Sequence, residues 1–283
     1  MRRITTLSIV LFLIVARLQA QPDTRTIVSE NIYLTLSGRV INVTDLNTQD
    51  SLTPGNTIFS SGECSISVTG DLEFKKFLVE IINISAAVTT VNDQEKQKVN
   101  PELLFSFTNQ SSDVTRERRY TNPTITSIRI SALDATRRDR VVLKIKFQSS
   151  EMVLSTGGGN KISAKAASRK AAITNSYMIS LVGLPGQRVT SVSSISLNAA
   201  SEKKIITFEL SRTDAAAWLE QLFKNSTQGK TFEGDIALME PSLRDDVLRL
   251  TVLNASIVKT EENSPGTKVL FTIQANVEFR PVF

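Results

Sequence analysis

The side chains of this sequence leave little from which to build a catalytic centre. Histidine is absent and cysteine occurs once, at Cys64. That removes imidazole acid–base chemistry, imidazole metal ligands and any intramolecular disulfide framework. A hydrolase would then need a Ser–Lys pair, paired carboxylates or a carboxylate-bound metal. Ser201-Glu202-Lys203-Lys204 has the S-x-x-K spacing. The S-D-N and K-T-G companions of serine acylases are missing, so the segment reads as a turn entering a strand. Asp45-Leu46-Asn47-Thr48-Gln49-Asp50 alternates oxygen ligands like the start of a calcium loop. It lacks the glycine at the sixth position and a closing glutamate, and reads as a solvated turn. Gly157-Gly158-Gly159-Asn160-Lys161 has the glycines of a phosphate loop without the lysine–serine pair or the helix in register, so a flexible linker explains it. Cys64 precedes an apolar strand and reads as a buried thiol. Trp218 lies on an apolar helical stripe, which makes it a core anchor and not a sugar-stacking residue. No catalytic, cofactor-binding or metal-ligating residue is assigned, and no cofactor is expected.

These residues must be placed by a chain of 283 residues, long enough for two domains, with 41% hydrophobic and only 6% aromatic residues. Residues 1–20 fit a secretory signal peptide. Arg2 and Arg3 give the basic start, Leu7 to Val15 the apolar run, and Leu18-Gln19-Ala20 the small residue for cleavage. Arg17 closes the run well short of the roughly 20 residues of a membrane anchor. The formal charge of +5 falls to +2 without Arg2, Arg3 and Arg17. A nearly neutral mature chain gives no nucleic-acid footprint. The clusters Arg116-Glu117-Arg118-Arg119 and Arg137-Arg138-Asp139-Arg140 carry interspersed acids and read as solvated loop charges. Export without disulfides points to a secreted or periplasmic protein held together by packing, with no membrane attachment after cleavage. Sequons at Asn42, Asn83, Asn109, Asn225 and Asn254 compare with about three or four expected by chance in an Asn-, Ser- and Thr-rich chain, and do not establish glycosylation.

Period-two alternation dominates beyond Gln21. Strands are expected at Ile32 to Leu36, Ser65 to Thr69, Phe77 toward Val91, Leu103 to Phe107, Thr124 to Leu133 and Val141 to Leu154. Residues 72–82 also fit a helix through Phe74, Phe77, Leu78 and Ile81; the isoleucines and valine favour a strand. Thr44 to Asn56 reads as a long loop, and residues 156–175 as a Gly/Lys/Ala-rich linker between an N-terminal β domain (21–155) and a C-terminal one (176–283). In the second half, strands are expected at Tyr177 to Val182, Val189 to Leu197, Ile205 to Leu210, Asp235 to Met239, Val247 to Thr260 and Val269 to Phe279. One helix follows the capping oxygens of Ser211 to Asp214 and carries Ala215, Trp218, Leu219, Leu222 and Phe223 on one face. The fold class is mainly β: antiparallel barrel or sandwich modules in tandem, with one packed helix in the C-terminal domain.

Three segments share an outline: Phe77 to Ser85, Leu143 to Ser150 and Leu248 to Ser256. In each the alternation falters at an Asn or Gln followed by Ser, as at a bulge. Met178-Ile-Ser-Leu-Val-Gly183-Leu-Pro185-Gly186, Val192 to Leu197, the helix after Phe208-Glu-Leu-Ser211, the hairpin ending Val247 to Lys259 and the last strand Leu270 to Phe279 resemble, in order, the haemolysin-coregulated protein family. These are ring-forming tube subunits of type VI secretion, similar to phage tail tubes. The resemblance covers Tyr177 to Pro281. It implies a non-enzymatic tube-like protein that associates with itself or with other proteins, and the first half reads as a diverged copy. Exposed strand edges and the long loops near 44–58 and 108–123 are the expected contact elements. The alternative is a carbohydrate- or peptide-binding module on the same sheets.

Overall fold

Alternation fixes the strands wherever one face is buried. Along β9 (Val142–Ser149), Leu143, Ile145 and Phe147 point into the core, while Lys144, Lys146 and Gln148 face outward. The computed structural model describes residues 30–52, 58–87, 101–162, 170–184, 189–197, 203–227, 231–263 and 266–280. The expected signal peptide, residues 1–20, lies outside them.

In the first half, β1 (Asn31–Leu36) turns into β2 (Arg39–Val43) through Ser37 and Gly38. Both turn residues have positive φ, the requirement of the two-residue hairpin that matches strand twist. β3 (Asp45–Leu52) continues β2 after Thr44 and pairs with β4 (Ile58–Ser67). Helix α1 (Leu72–Ala87) follows, then β5 (Glu102–Thr108), β6 (Val114–Thr121), β7 (Thr124–Ile130), the short β8 (Leu133–Asp134), β9 and β10 (Glu151–Thr156). The pairings close on themselves: β2 with β1, β1 with β5, β5 with β6, β6 with β10, and, through the continuations at Ser150 and Thr44, β9 with β4 and β4 with β3. This is a barrel of six bent, antiparallel strands.

The second half repeats the order. β11 (Tyr177–Leu181), β12 (Val189–Val192), β13 (Ile195–Ser196) and β14 (Lys204–Ser211) precede helix α2 (Arg212–Thr227). β15 (Phe232–Met239), β16 (Asp246–Glu262) and β17 (Lys268–Arg280) follow it. The sheet runs β11-β15-β16-β17-β14-β12. Thus β1, β5, β6 with β7, β9 with β10, and β4 have counterparts in β11, β15, β16, β17 and β14. Asn122, with φ 49°, kinks the first long strand; Asn254, with φ 50°, kinks the second at the matching place. Asparagine tolerates this left-handed conformation better than most residues.

Several expectations are corrected. The Phe77 segment is not a strand but the first helix. Asp71 precedes it and its carbonyl accepts from Lys75 N–H, while Phe74, Phe77, Leu78 and Ile81 form its buried stripe. Tertiary burial of an apolar stripe outweighs the strand preference of isoleucine. The mainly β class stands, with a helix in each half and not in the second alone. The three-segment repeat fails with it. Leu143 lies on β9, the counterpart of β17, whereas Leu248 lies on β16. Thr44 to Asn56 is not a loop through Leu52, since β3 pairs with β4 along its whole length. Residues 114–121, read as loop charges, form β6. Arg116 and Arg118 share its inward face and Arg119 lies on the other, and β5 and β10 pair on either side.

The second helix begins as expected. Ser211 Oγ accepts from Asp214 N–H at 3.3 Å and lies 2.6 Å from the Asp214 carboxylate. Ala215 and Trp218 are buried; Leu222 and Phe223 fall outside the described side chains. Of the stretch 156–175, residues 163–169 are not described. Its remainder is tied down: Gly157 N–H donates to Thr115, Val114 N–H to Asn160, and Ala172 N–H to Val68.

Candidate functional site

The two halves meet by strand addition. β8, from the first half, pairs with the outer edge of β12: Leu133 stands opposite Val192 and Asp134 opposite Ser191. Reciprocally, β13 of the second half extends the first barrel's sheet beside β7, Ile195 opposite Ile130 and Ser196 opposite Arg129. Ala135 N–H donates to Thr190 C=O at 2.9 Å and Leu197 N–H to Ile128 C=O at 2.8 Å, extending both ladders. Ile130, Leu133, Val192 and Ile195 are fully buried. Main-chain bonds give such a joint its direction and the apolar quartet its energy.

The joint is also electrostatically organised. Asp134 accepts from the Thr136 hydroxyl at 2.6 Å and from its N–H at 2.8 Å, which hold its carboxyl below the usual range; Arg137 adds to this. Tyr177 donates its hydroxyl to Val189 C=O at 2.8 Å, linking β11 to β12. Burial, reinforced by the Asp134 and Glu209 carboxylates, pushes that phenol up to about 12.

The equivalence of the halves locates two further edges of the same kind. Beyond Asn254, residues 256–262 of β16 run past β15 as β7 runs past β5. They pair with β17 on one side only, among the described residues. β3 pairs with β4 and is the outer strand of its sheet, in the position β12 holds in the second half. Thus the edges that β13 and β8 cover inside the chain recur at residues 256–262 and 45–52, where no described strand covers them. Their side chains differ from those of the joint. Val258, Lys259, Thr260, Glu261 and Glu262 are exposed, and Lys259 pairs with Glu261 at 2.6 Å.

The residues weighed for chemistry are scattered. Asp45, Asn47 and Gln49 face outward on β3 and Asp50 inward, so they cannot wrap one cation. Lys204 begins β14, while Ser201 and Glu202 lie outside the described residues. Gly157 is held so close to β6 that a Cβ would sit 2.0 Å from Val114 C=O. Cys64 is fully buried, and burial pushes its thiol up to about 12. Trp218 is buried between Phe208 and Phe271, with ring centroids 5.6 and 5.2 Å away. No group of three or more Cys, Asp or Glu side chains is placed to hold a metal ion among the described residues. An open depression of about 300 Å³ lies on the outer face of the β7-β9-β4-β3 sheet. Asn47, Gln49, Ser61, Glu63, Lys146 and Gln148 line it, and Lys146 pairs with Glu63 at 3.3 Å.

Strand expectations reached β7, β12 and β13, but nothing in their patterning marked them as a joint. The one available signal was Ile130, Leu133, Val192 and Ile195 sitting where short strands end in Ser, Asn and Asp.

No family model matches the chain, and no curated protein matches it. Among solved structures, it is similar in part to the tube-terminating cap of the anti-feeding prophage: TM-score 0.31, 13% identity, 44% of this chain and 88% of that one. Two chains from an extracellular contractile injection system in its extended state are similar at TM-score 0.31, 15% identity and 44% of this chain. One is from the PVC sheath–tube complex, 88% covered, and the other from the PVC sheath/tube terminator, 93% covered.

Proposed function

We propose that this chain is a structural, non-enzymatic protein of two β modules, residues 21–155 and 176–283. It is exported behind a cleaved leader, residues 1–20, and docks onto protein partners by adding strands edge to edge. The internal joint carries the reading. It is a working instance of that docking mode, and the same two edges recur at 45–52 and 256–262 with no strand covering them among the described residues. An edge strand left open is a template for another chain.

A second copy is one such partner. In the register of the internal joint, Glu262 and Glu261 of one copy would stand opposite Gln49 and Asp50 of the next, where the joint has Ile130 and Arg129 opposite Ile195 and Ser196. Acid against acid opposes pairing and salt screens it. Association between copies is therefore weak at low ionic strength and strengthens as salt rises. Size-exclusion chromatography with light scattering, over protein and salt concentration, tests this. Growth of dimers and longer species with salt supports it. A monomer at every concentration and salt removes self-association.

The depression lined by Asn47, Gln49 and Gln148 supports the second reading, a module for carbohydrate or peptide. Its amides suit hydroxyl-rich ligands, but the neighbouring Phe147 ring turns inward against Phe105 and Tyr120 and offers no stacking face. A glycan array without binding retires that reading.

A further inference from the structure

The two barrels differ in what they place at one mouth. On β6, the inward residues are Arg116, Arg118 and Tyr120, paired across to Phe107, Phe105 and Leu103. The counterparts on β16 are Leu248, Leu250 and Val252, all buried and aliphatic. The first barrel thus spends two guanidinium groups and a phenol where its sister needs only hydrocarbon. Across the lumen they meet Thr48, Asp50 and Ser60. Arg118 Nη1 donates to Thr48 Oγ1 and stands 3.9 Å from the Asp50 carboxylate, while Ser60, fully buried, donates to Asp50 at 2.5 Å. Arg116 lies over the Phe107 ring, 4.1 Å from its centroid.

This polar layer is incompletely satisfied. Arg118 Nε is buried without a hydrogen-bond partner, and the Tyr120 hydroxyl, also buried, has only loose contacts with Arg118 and Thr48. Tyr120 is fully buried, with Arg118 and Thr48 beside its hydroxyl. One unpaired donor and one loosely held hydroxyl in a buried layer are costly unless an acceptor reaches them. Leu154, opposite Arg118 on β10, is 62% exposed and supplies an apolar wall.

We propose that the mouth of the first barrel binds a monoanionic carboxylate carrying an apolar body. Arg118 and Tyr120 donate to the carboxylate oxygens, and Leu154 contacts the body. Arginine's planar fork suits a carboxylate. The Asp50 carboxylate, already in the layer, disfavours a dianion such as phosphate. The site does not depend on the docking reading.

The test is NMR titration of the mature chain and its variants with benzoate, acetate and inorganic phosphate, following the backbone amide signals of residues 118, 120 and 154, with the Arg118 Nε–H signal added where Arg118 is present. Saturable shifts are expected, tightest for benzoate and weakest for phosphate. Arg118→Leu and Tyr120→Val install the sister barrel's residues, which that fold accommodates; Arg118→Leu weakens benzoate binding by about tenfold or more. Asp50→Asn tightens it, a sign that a purely structural role for Asp50 would not give. Far-UV circular dichroism confirms that each variant is folded. No saturable shift with any of the three anions, or benzoate binding unchanged in Arg118→Leu, overturns the proposal. Tighter binding of phosphate than of benzoate overturns the carboxylate assignment.

Discussion

Placing a charge in the joint between the barrels should uncouple them. Ile130, Leu133, Val192 and Ile195 are each fully buried there. Burying such side chains stabilises by roughly 1.5–3 kcal/mol each, so parting the joint costs at most on the order of 10 kcal/mol. That is an upper figure, because each side chain also packs on its own barrel. It is comparable with the whole stability of a typical domain, roughly 5–15 kcal/mol. The joint therefore holds until the protein unfolds, and the chain melts as one unit. Ile195→Asp removes an apolar contact and sets an unpaired carboxylate against Ile130, a loss of several kcal/mol. Urea unfolding read by two probes follows this. Trp218 is the single tryptophan and lies in the second half, whereas far-UV circular dichroism reports both. The two curves should coincide in the wild type and separate in Ile195→Asp. Curves that already diverge in the wild type, or a variant with an unchanged single transition, would show that the joint does not couple the two barrels.

Gly62→Ala places a Cβ 2.5 Å from Phe147 Cζ, whose ring is held by Phe105 and Tyr120; a loss of about 1–3 kcal/mol is expected in urea unfolding. Native Cys64 should resist thiol reagents at pH 8 and label only on unfolding, as a fully buried thiol raised to about 12 requires. Because the Cys64 and Tyr177 values are raised, the protonated forms are favoured in the fold. Their stability contribution is full below pH 9 and 10 respectively and disappears as pH climbs toward 12. For Asp134 the sign is opposite: its contribution is present above the ordinary value of 3.8 and lost as pH falls through the lowered one. Urea midpoints across pH check both directions. Finally, Gln49→Ile with Glu262→Ile copies the internal joint's isoleucine pair onto the free edges, and light scattering should then show head-to-tail oligomers.

Much of the sheet was legible because one buried face imposes period two, as in β9 and β17. The second helix was legible because Ser211 and Asp214 mark its start and its apolar stripe has little β-branching. The first helix was ambiguous for the opposite reason: Val79, Ile81, Ile82 and Ile84 suit a strand locally, and only packing decides. β3 and β6 escaped because backbone pairing, not apolar side chains, holds them in place. In β6 the inward positions carry arginines, so the alternation looks like loop charge. The correspondence between Asn122 and Asn254 could be seen only from backbone conformation, since Pro123 follows one and Ala255 the other. The joint rests on two-residue strands, too short to leave a periodic trace.

The most direct trial of edge-to-edge docking is amide hydrogen exchange on the mature chain, dilute at low salt against concentrated at high salt. Protection gained at residues 45–52 and 256–262, with the joint amides of Ala135 and Leu197 slow throughout, is the predicted result. Association that protects some other surface and leaves both edges exchanging freely would contradict it.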